Sequence, residues 1–195
     1  MSKRIALLSA VAFSALALTA SVVAPASAED KKMMKSELSG EKTVMVGGAA
    51  MFPSKNIIQN AVNSKDHTTL VAAVKAAGLV ETLEGKGPFT VFAPTNTAFG
   101  KLPAGTVDTL VKPENKATLT KILTYHVVAG KLEASSLTDG KKLKTVEGEQ
   151  LTVKRSGDTV MIVDAKGGSS TVTIANVNQS NGVIHVVDTV LMPAS

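Results

Sequence analysis

The sequence predicts an α+β domain, with helices in the first half of the chain and strands in the second. Three observations predict this class. Apolar residues recur at helical spacing between residues 56 and 77, alternating β-branched runs separated by glycine turns follow residue 142, and a long β-branched run occupies residues 183–190. Because the two kinds of element are separated along the chain, repeated βαβ units are not expected.

The run near the C-terminus is predicted to be the central strand. Asn181-Gly182 is a strong turn signal, since both residues tolerate positive φ. Alternation places Ile184 and Val186 on one face and Val183, His185 and Val187 on the other, and a strand that is largely apolar on both faces is covered on both sides. We expect Pro193 to end the run, because proline lacks a backbone donor.

The first 28 residues have the pattern of a secretory signal peptide. Lys3 and Arg4 precede an apolar stretch over residues 5–18, and small residues at 26–28 predict cleavage after Ala28. A transmembrane anchor is the alternative, but the apolar stretch is short and is interrupted by serine and threonine. No second apolar span occurs, so we expect a secreted or periplasmic protein with no membrane span after cleavage.

Residues 29–50 are predicted to be a flexible linker, and residues 51–195 the folded domain. Charged residues and methionines dominate the beginning of the linker, and little of it is suited to burial.

The helices of the first half follow from apolar spacing and from capping residues. We expect a short helix over residues 56–62 and a longer one from about residue 68 to 77, capped by Asp66 or Thr68 and ended by Gly78. His67 is expected at an exposed helix start. Two more helices are predicted over residues 106–111 and 113–124, with Pro113 in the first turn of the second.

One strand is predicted in the first half and the remainder in the second. Residues 89–92 form a short strand that Pro94 ends, and Thr95 or Asn96 begins a helical turn. A short strand is predicted over residues 125–128, which Gly130 ends. The later strands are predicted over residues 143–146, 151–155, 159–164 and 171–175, joined by glycine-containing turns.

Composition excludes several functions. Removing residues 1–28, which carry Lys3 and Arg4 and no acid, lowers the net charge from +5 to +3, too little to indicate nucleic-acid binding. The aromatic content of 3% gives few stacking platforms for bases or sugars. The chain has no cysteine and so no disulfide.

The sequence shows no catalytic set. It has no nucleophile elbow, phosphate-binding loop or zinc-binding helix, so we expect no enzymatic activity and no cofactor. His126 and His185 are either a metal or acid/base pair or two structural histidines; the structural interpretation is favoured because no third ligand lies at short spacing. Asp188 is interpreted as a turn or cap acceptor, and Tyr125 either as a half-buried core residue or as a contact residue.

Three stretches together resemble the fasciclin domain. Residues 90–99 are similar to its first signature, residues 123–128 to its central Tyr-His motif, and residues 181–188 to its second signature. The resemblance covers about residues 56–193. It implies a β-wedge of about seven strands with several packed helices, and a role in cell adhesion or matrix association.

The resemblance also implies a candidate adhesion surface. Adhesion by animal members is attributed to the Tyr-His region, matched here by Tyr125 and His126, and to an Asp-Ile pair, whose place is taken by Asn176 and Val177. The lost carboxylate argues against binding through an integrin-bound cation. A second set of residues matches the signatures as a structural motif: Thr95, Asn96, His185 and Asp188.

We therefore expect a secreted or periplasmic, non-enzymatic fasciclin-domain protein that mediates cell adhesion or association with matrix or surface. The expected partner is a cell-surface or matrix protein or a polysaccharide, and the chain is expected to be a monomer or to self-associate weakly. The alternative is a periplasmic protein that binds a small ligand or a polysaccharide in a groove between the helices and the sheet.

Overall fold

The computed structural model describes residues 42–194. The predicted signal peptide and residues 29–41 of the predicted linker lie outside the described residues. The elements of the described part, in chain order and apart from three short 3₁₀ turns, are β1 Val44–Val46, β2 Ala49–Met51, α1 Ile57–Ala61, α2 Thr68–Ala77, α3 Val80–Glu84, β3 Phe89–Pro94, α4 Asn96–Gly100, α5 Thr106–Leu110, α6 Lys116–Tyr125, β4 Val127–Ala129, β5 Lys142–Lys144, β6 Gln150–Ser156, β7 Thr159–Val163, β8 Ser169–Gln179 and β9 Gly182–Val187.

The fold begins earlier than Met51. Strands β1 and β2 form an antiparallel hairpin within the stretch expected to be linker, and Val46 and Met51 are buried in the apolar core. The turn between them uses Gly47 and Gly48, both at positive φ. A Cβ on Gly47 would lie 2.4 Å from the hydroxyl oxygen of Ser64, so the hairpin packs closely against the segment before α2.

Strand β9 is central, as predicted. The main sheet has seven strands in the order β4-β3-β9-β8-β7-β6-β5, and β9 pairs in parallel with β3 and antiparallel with β8. Every residue of β9 is buried. The strand ends at Val187 and does not continue to Pro193. The chain bends at Asp188, whose side-chain Oδ1 accepts at 2.8 Å from the N–H of Thr171, the residue opposite it on β8.

The seven-stranded sheet curves until its two edges meet. Val128, in β4, and Thr145, just after β5, form an isolated antiparallel bridge, and the N–H of Val146 donates to the carbonyl of Val127 at 2.7 Å. The sheet is therefore nearly closed, and helices cover one of its faces. This architecture confirms the predicted α+β class and the β-wedge.

Two apolar clusters lie on opposite faces of β9. One is formed between the helices and the sheet and contains Ile184 and Val186. The other lies inside the curved sheet and contains Val187, Phe92 and Tyr125. Because alternate residues of a strand point to opposite faces, one short strand contributes to both clusters.

The predicted helix boundaries agree closely with the structure. Asn56 caps α1 by accepting from the N–H of Gln59, and Gly78 ends α2 in the left-handed conformation with φ +73°. The predicted helix over residues 113–124 is a 3₁₀ turn at Pro113–Asn115 followed by α6. Residue Tyr125 is the last of α6, not the first of a strand.

Asn181 has a larger role than its predicted turn. Its buried side chain accepts from the N–H of Ile57 at 3.1 Å and donates to the carbonyls of Leu83 and Gly85, joining α1 and α3 to the sheet. Gly182 is needed for close approach, not for positive φ, because a Cβ there would lie 2.1 Å from the carbonyl oxygen of Phe89.

Candidate functional site

Tyr125, a candidate adhesion residue, is completely buried. Its hydroxyl donates to the carbonyl of Gln150 at 3.4 Å and accepts from the N–H of Ala165 at 2.9 Å. Burial raises the pKa of this hydroxyl, against the opposing effect of the Ala165 N–H. The expected half-buried position is wrong, and Tyr125 is not accessible to a partner in this structure.

His126 is also inaccessible. It follows α6, and its Nδ1 bonds to the carbonyl of Ile122 at 2.8 Å while its Nε2 accepts from the N–H of Leu191 at 2.9 Å. Those two partners require the neutral imidazole with its proton on Nδ1. Burial lowers the pKa of His126 to about 4, although the Ile122 carbonyl and Asp164 oppose the shift.

His185 is held in the same way on β9. Its ring stacks on Phe92 with centroids 5.7 Å apart. Nε2 bonds to the carbonyl of Leu132 at 2.8 Å, and Nδ1 accepts from the N–H of Asn176 at 3.4 Å. Burial lowers its pKa, with the Leu132 carbonyl acting in the opposite direction. All four ring nitrogens of His126 and His185 are thus occupied by backbone groups, which favours the structural interpretation.

Asn176 and Val177, the second candidate pair, differ in exposure. Val177 is buried and pairs with Ile184. Asn176 is exposed at an irregularity in β8 and has φ +57°, which asparagine tolerates better than most residues. Its side-chain oxygen accepts from the N–H of Ala134 at 2.7 Å. Of the four candidate adhesion residues, Asn176 is therefore the one that a partner can reach.

Asp188 accepts several hydrogen bonds at the bend after β9. Its Oδ1 accepts from the N–H of Thr171 at 2.8 Å and from the hydroxyl of Thr189 at 3.1 Å, and its Oδ2 lies 3.4 Å from the Nζ of Lys101. Although partial desolvation opposes the effect, these groups hold the pKa of Asp188 below its usual value. The geometry agrees with the interpretation of Asp188 as a turn acceptor.

Thr95 and Asn96 connect two helices. Thr95 caps α4 by accepting from the N–H of Ala98 at 3.2 Å. Asn96 accepts from the N–H of Thr69 at 3.0 Å and donates to the carbonyl of Lys65 at 2.8 Å, so it satisfies the first turn of α2 from a different element. The sequence predicts Asp66 or Thr68 as the cap of α2. It does not predict Asn96, because a cap supplied by a distant residue leaves no pattern in the local sequence.

His67 is buried, whereas the sequence suggested an exposed helix start. Its Nδ1 lies 2.9 Å from the hydroxyl oxygen of Ser64. Burial lowers the pKa of His67, with a backbone hydrogen bond to Ala93 and the charge of Asp66 acting in the opposite direction. The β1–β2 hairpin, which packs over Ser64, explains the burial.

An apolar cavity of about 70 Å³ lies between the helices and the sheet. Helices α1, α2 and α6 and strands β3 and β9 contribute to its wall, and His67 is one of its few polar residues. The lining also includes Thr82 and Val146, which are exposed, so the cavity reaches the surface.

Within residues 42–194, no three histidine, aspartate or glutamate side chains are grouped so that they could hold a metal ion. None of the helices in the same range is both long enough and apolar enough to span a bilayer.

The fasciclin domain model matches residues 65–193 of this chain. The chain belongs to the fasciclin family. The matched range contains the two buried histidine motifs and the Asp188 bend.

Bacterial relatives cover most of the chain. Protein sll1483 of a Synechocystis strain is 50% identical over 153 residues, which is 78% of this chain and 82% of the relative. Immunogenic protein MPB70 of Mycobacterium bovis is 39% identical over 138 residues, 68% of this chain and 66% of the relative. Cell surface glycolipoprotein MPB83 of the same species is 40% identical over 153 residues, 76% and 64% of the two chains.

A solved structure has the same fold. A FAS1 domain pair from the insect cell adhesion molecule fasciclin I superposes with a TM-score of 0.64 at 17% identity, covering 72% of this chain and 52% of that chain. At this identity the likeness extends to the fold alone.

Proposed function

We propose that this protein is an exported, non-enzymatic fasciclin module that attaches the cell to a surface or matrix through the region around Asn176. The single observation that carries the proposal is the exposure of Asn176 on a backbone irregularity, while Tyr125, His126 and Val177 are buried. A relative named as a cell surface glycolipoprotein supports location at the cell surface.

The proposed contact region, the Asn176 surface, consists of Asn176, Lys131, Glu133 and Ala134. Lys131 and Glu133 are exposed and form an ion pair at 3.5 Å. Ala134 bonds to the Asn176 side chain, and the carbonyl of Leu132, between the charged pair, bonds to buried His185. Because His185 lies on β9, this bond connects the Asn176 surface to the central strand.

Rigidity favours this region as a binding surface. A contact region that is already ordered loses little conformational entropy on association, so more of the interaction energy appears as affinity. Its mixed amide and charged groups suit a polar partner, such as a matrix protein or a polysaccharide. The loss of the family's carboxylate at position 176 removes a ligand for a bridging cation.

A strain lacking the protein tests the function. We expect reduced attachment and aggregation after deletion, restored by the wild-type gene and by a matched control carrying Lys112→Ala and Glu114→Ala, two exposed residues in another region. A surface variant with Lys131→Ala, Glu133→Ala and Asn176→Gly should not restore attachment.

The adhesive function and the placement of the contact region can be contradicted independently of each other. Normal attachment by the deletion strain would contradict the adhesive function. Full restoration by the surface variant, in a strain where deletion does reduce attachment, would contradict only the placement of the contact region.

Ligand binding between the helices and the sheet is the second candidate function, and the apolar cavity is the observation that favours it. The wall of the cavity has little to offer the hydroxyl groups of a polysaccharide. The candidate is therefore restricted to a small apolar ligand.

A further inference from the structure

The two edges of the main sheet meet over a very short distance. Val128 and Thr145 form an isolated bridge, and beyond it β4 and β5 diverge and leave an open groove of about 430 Å³. The β4–β5 groove is lined by Val128, Ala129, Leu132 and residues 141–145. One wall of this groove is therefore the edge of a β-strand.

The backbone of β5 presents hydrogen-bonding groups to the groove. On the opposite edge of β5, the carbonyl of Lys141 accepts from the N–H of Val153 in β6 at 2.7 Å. Because successive residues of an antiparallel strand direct their N–H and C=O groups to opposite edges, those of Lys142 point away from β6. Val146 has the same direction, since its N–H donates to Val127 of β4. The Lys142 edge can thus donate to and accept from an added strand.

Two lysines give this edge a positive charge. Lys142 and Lys144 are exposed, and the lining of the groove contains no aspartate or glutamate. Neither lysine forms an ion pair within residues 42–194. The glutamates of the next turn are engaged elsewhere, because Glu147 pairs with Lys121 and Glu149 accepts from the N–H of Ala194. An acidic ligand would supply the charge that the chain itself does not.

The same lysines disfavour a second copy of this chain as the occupant. Two β5 edges paired with each other would place lysine beside lysine, and like charges on adjacent strands are destabilising. Exposed lysines commonly protect sheet edges from such pairing. A strand that carries carboxylates reverses the sign of the interaction, so Lys142 and Lys144 discriminate between a basic strand and an acidic one.

The groove is continuous with the Asn176 surface. Leu132, which lines the groove, lies between Lys131 and Glu133 of that surface. A partner that contacts the Asn176 surface therefore has the groove beside it. The strand edge favours a peptide over a polysaccharide as its occupant, because a peptide chain supplies a regular series of N–H and C=O groups and a polysaccharide does not.

We propose that an extended acidic peptide segment of the partner adds as a strand to the groove edge of β5, with its carboxylates beside Lys142 and Lys144. In this binding mode, main-chain hydrogen bonds supply affinity and side chains supply specificity. The inference rests on the proposed function, to which it adds the chemistry of the partner and a second contact region.

Three hexapeptides, blocked at both ends, test the proposal in NMR titrations of the purified protein. The first alternates glutamate with threonine, the second alternates lysine with threonine, and the third is the first with N-methylated backbone amides. The glutamate peptide should bind and should protect the N–H of Lys142 from hydrogen exchange. The N-methylated peptide should bind at least about fivefold more weakly, the effect of one net hydrogen bond. The lysine peptide should give no protection.

Paired variants test the contribution of the lysines. Lys142→Thr combined with Lys144→Thr keeps residues that suit a strand and should weaken binding of the glutamate peptide about fivefold, the effect of two exposed charge pairs. Lys86→Thr combined with Lys112→Thr changes two exposed lysines outside the groove and should bind like the wild type. All four side chains are exposed, and thermal unfolding verifies that both variants are folded.

The contradicting results are specific to this proposal. Equal binding of the N-methylated and unmodified glutamate peptides refutes strand addition. If alginate, an acidic polysaccharide, also shifts the amide signals of Lys142 and Lys144, the groove is a site for acidic polysaccharides instead. If no peptide binds, the proposal fails, while the attachment of the deletion strain and of the surface variant still decides the adhesive function.

Discussion

The buried imidazole of His126 accepts a hydrogen bond from the backbone N–H of Leu191 at 2.9 Å. This bond fastens the segment after β9 to the end of α6. Since Nδ1 bonds to a carbonyl, protonation of Nε2 would add a buried charge and remove the bond to Leu191.

We therefore predict that the protein loses stability in acid between pH 6.5 and 4. The pKa of His126 is lowered to about 4 in the folded state against 6.5 in the unfolded state. The unfolded chain binds the proton first, so the stabilising contribution is complete above pH 6.5 and decreases as pH falls toward 4. The difference amounts to about 3 kcal/mol in the free energy of unfolding.

Urea unfolding at pH 7, 5.5 and 4.5 measures this effect, with His126→Phe as the comparison. The variant should be less stable at pH 7 and should show a shallower pH dependence than the wild type. Parallel pH profiles for the two proteins would show that His126 does not titrate as described.

Tyr125→Phe tests whether Tyr125 stabilises the fold or contacts a partner. Removing the hydroxyl leaves the N–H of Ala165 without its partner, which should lower the free energy of unfolding by about 1 to 2 kcal/mol. Because Tyr125 is buried, attachment per folded molecule should be unchanged. Thermal unfolding and an attachment assay on the same preparation check both statements; lost attachment at unchanged stability would restore Tyr125 as a contact residue.

Asp188 should stabilise the fold mainly through the N–H of Thr171 and not through its ion pair. Asp188→Ala removes the acceptor of a 2.8 Å bond and should cost about 1 to 2 kcal/mol. Lys101→Ala removes the partly exposed ion pair at 3.4 Å and the exposed bond from the Lys101 Nζ to the Thr189 hydroxyl at 3.2 Å, and should cost less than about 0.5 kcal/mol. Chemical denaturation of both variants measures the decrease in the free energy of unfolding that each substitution causes. An equal decrease in the two variants would contradict the assignment.

Asn176 should respond to substitution according to its backbone conformation. At φ +57°, glycine is unstrained, whereas alanine is disfavoured by about 1 kcal/mol or more. Both substitutions remove the bond to Ala134, so the difference in the free energy of unfolding between Asn176→Ala and Asn176→Gly isolates the backbone effect. Equal stability of the two variants would show that the positive φ is not maintained in solution.

Elements with a local signal were predictable from the sequence. The alternation of β-branched residues identified β9, and Gly78 and Asn56 marked the ends of helices, because these signals act within a few residues. The resemblance carried by three short stretches then implied the β-wedge that the structure shows.

Features that depend on distant contacts were not predictable. The burial of His67 arises from the β1–β2 hairpin, and the cap of α2 comes from Asn96 more than twenty residues later. The sequence predicts Tyr125 and His126 as part of a candidate surface because their motif is associated with adhesion, yet a motif does not reveal which side chains face the core. The cavity beside His67 likewise exists only after helices and sheet have packed.

Attachment of protein-coated beads to envelope material of the producing bacterium tests the central claim most directly. Beads carrying wild-type protein, Tyr125→Phe, or the surface variant (Lys131→Ala, Glu133→Ala and Asn176→Gly) would be compared after matching the amount of folded protein by circular dichroism. We predict that Tyr125→Phe beads attach like the wild type and that surface-variant beads do not. Attachment lost with Tyr125→Phe and retained with the surface variant would contradict the account.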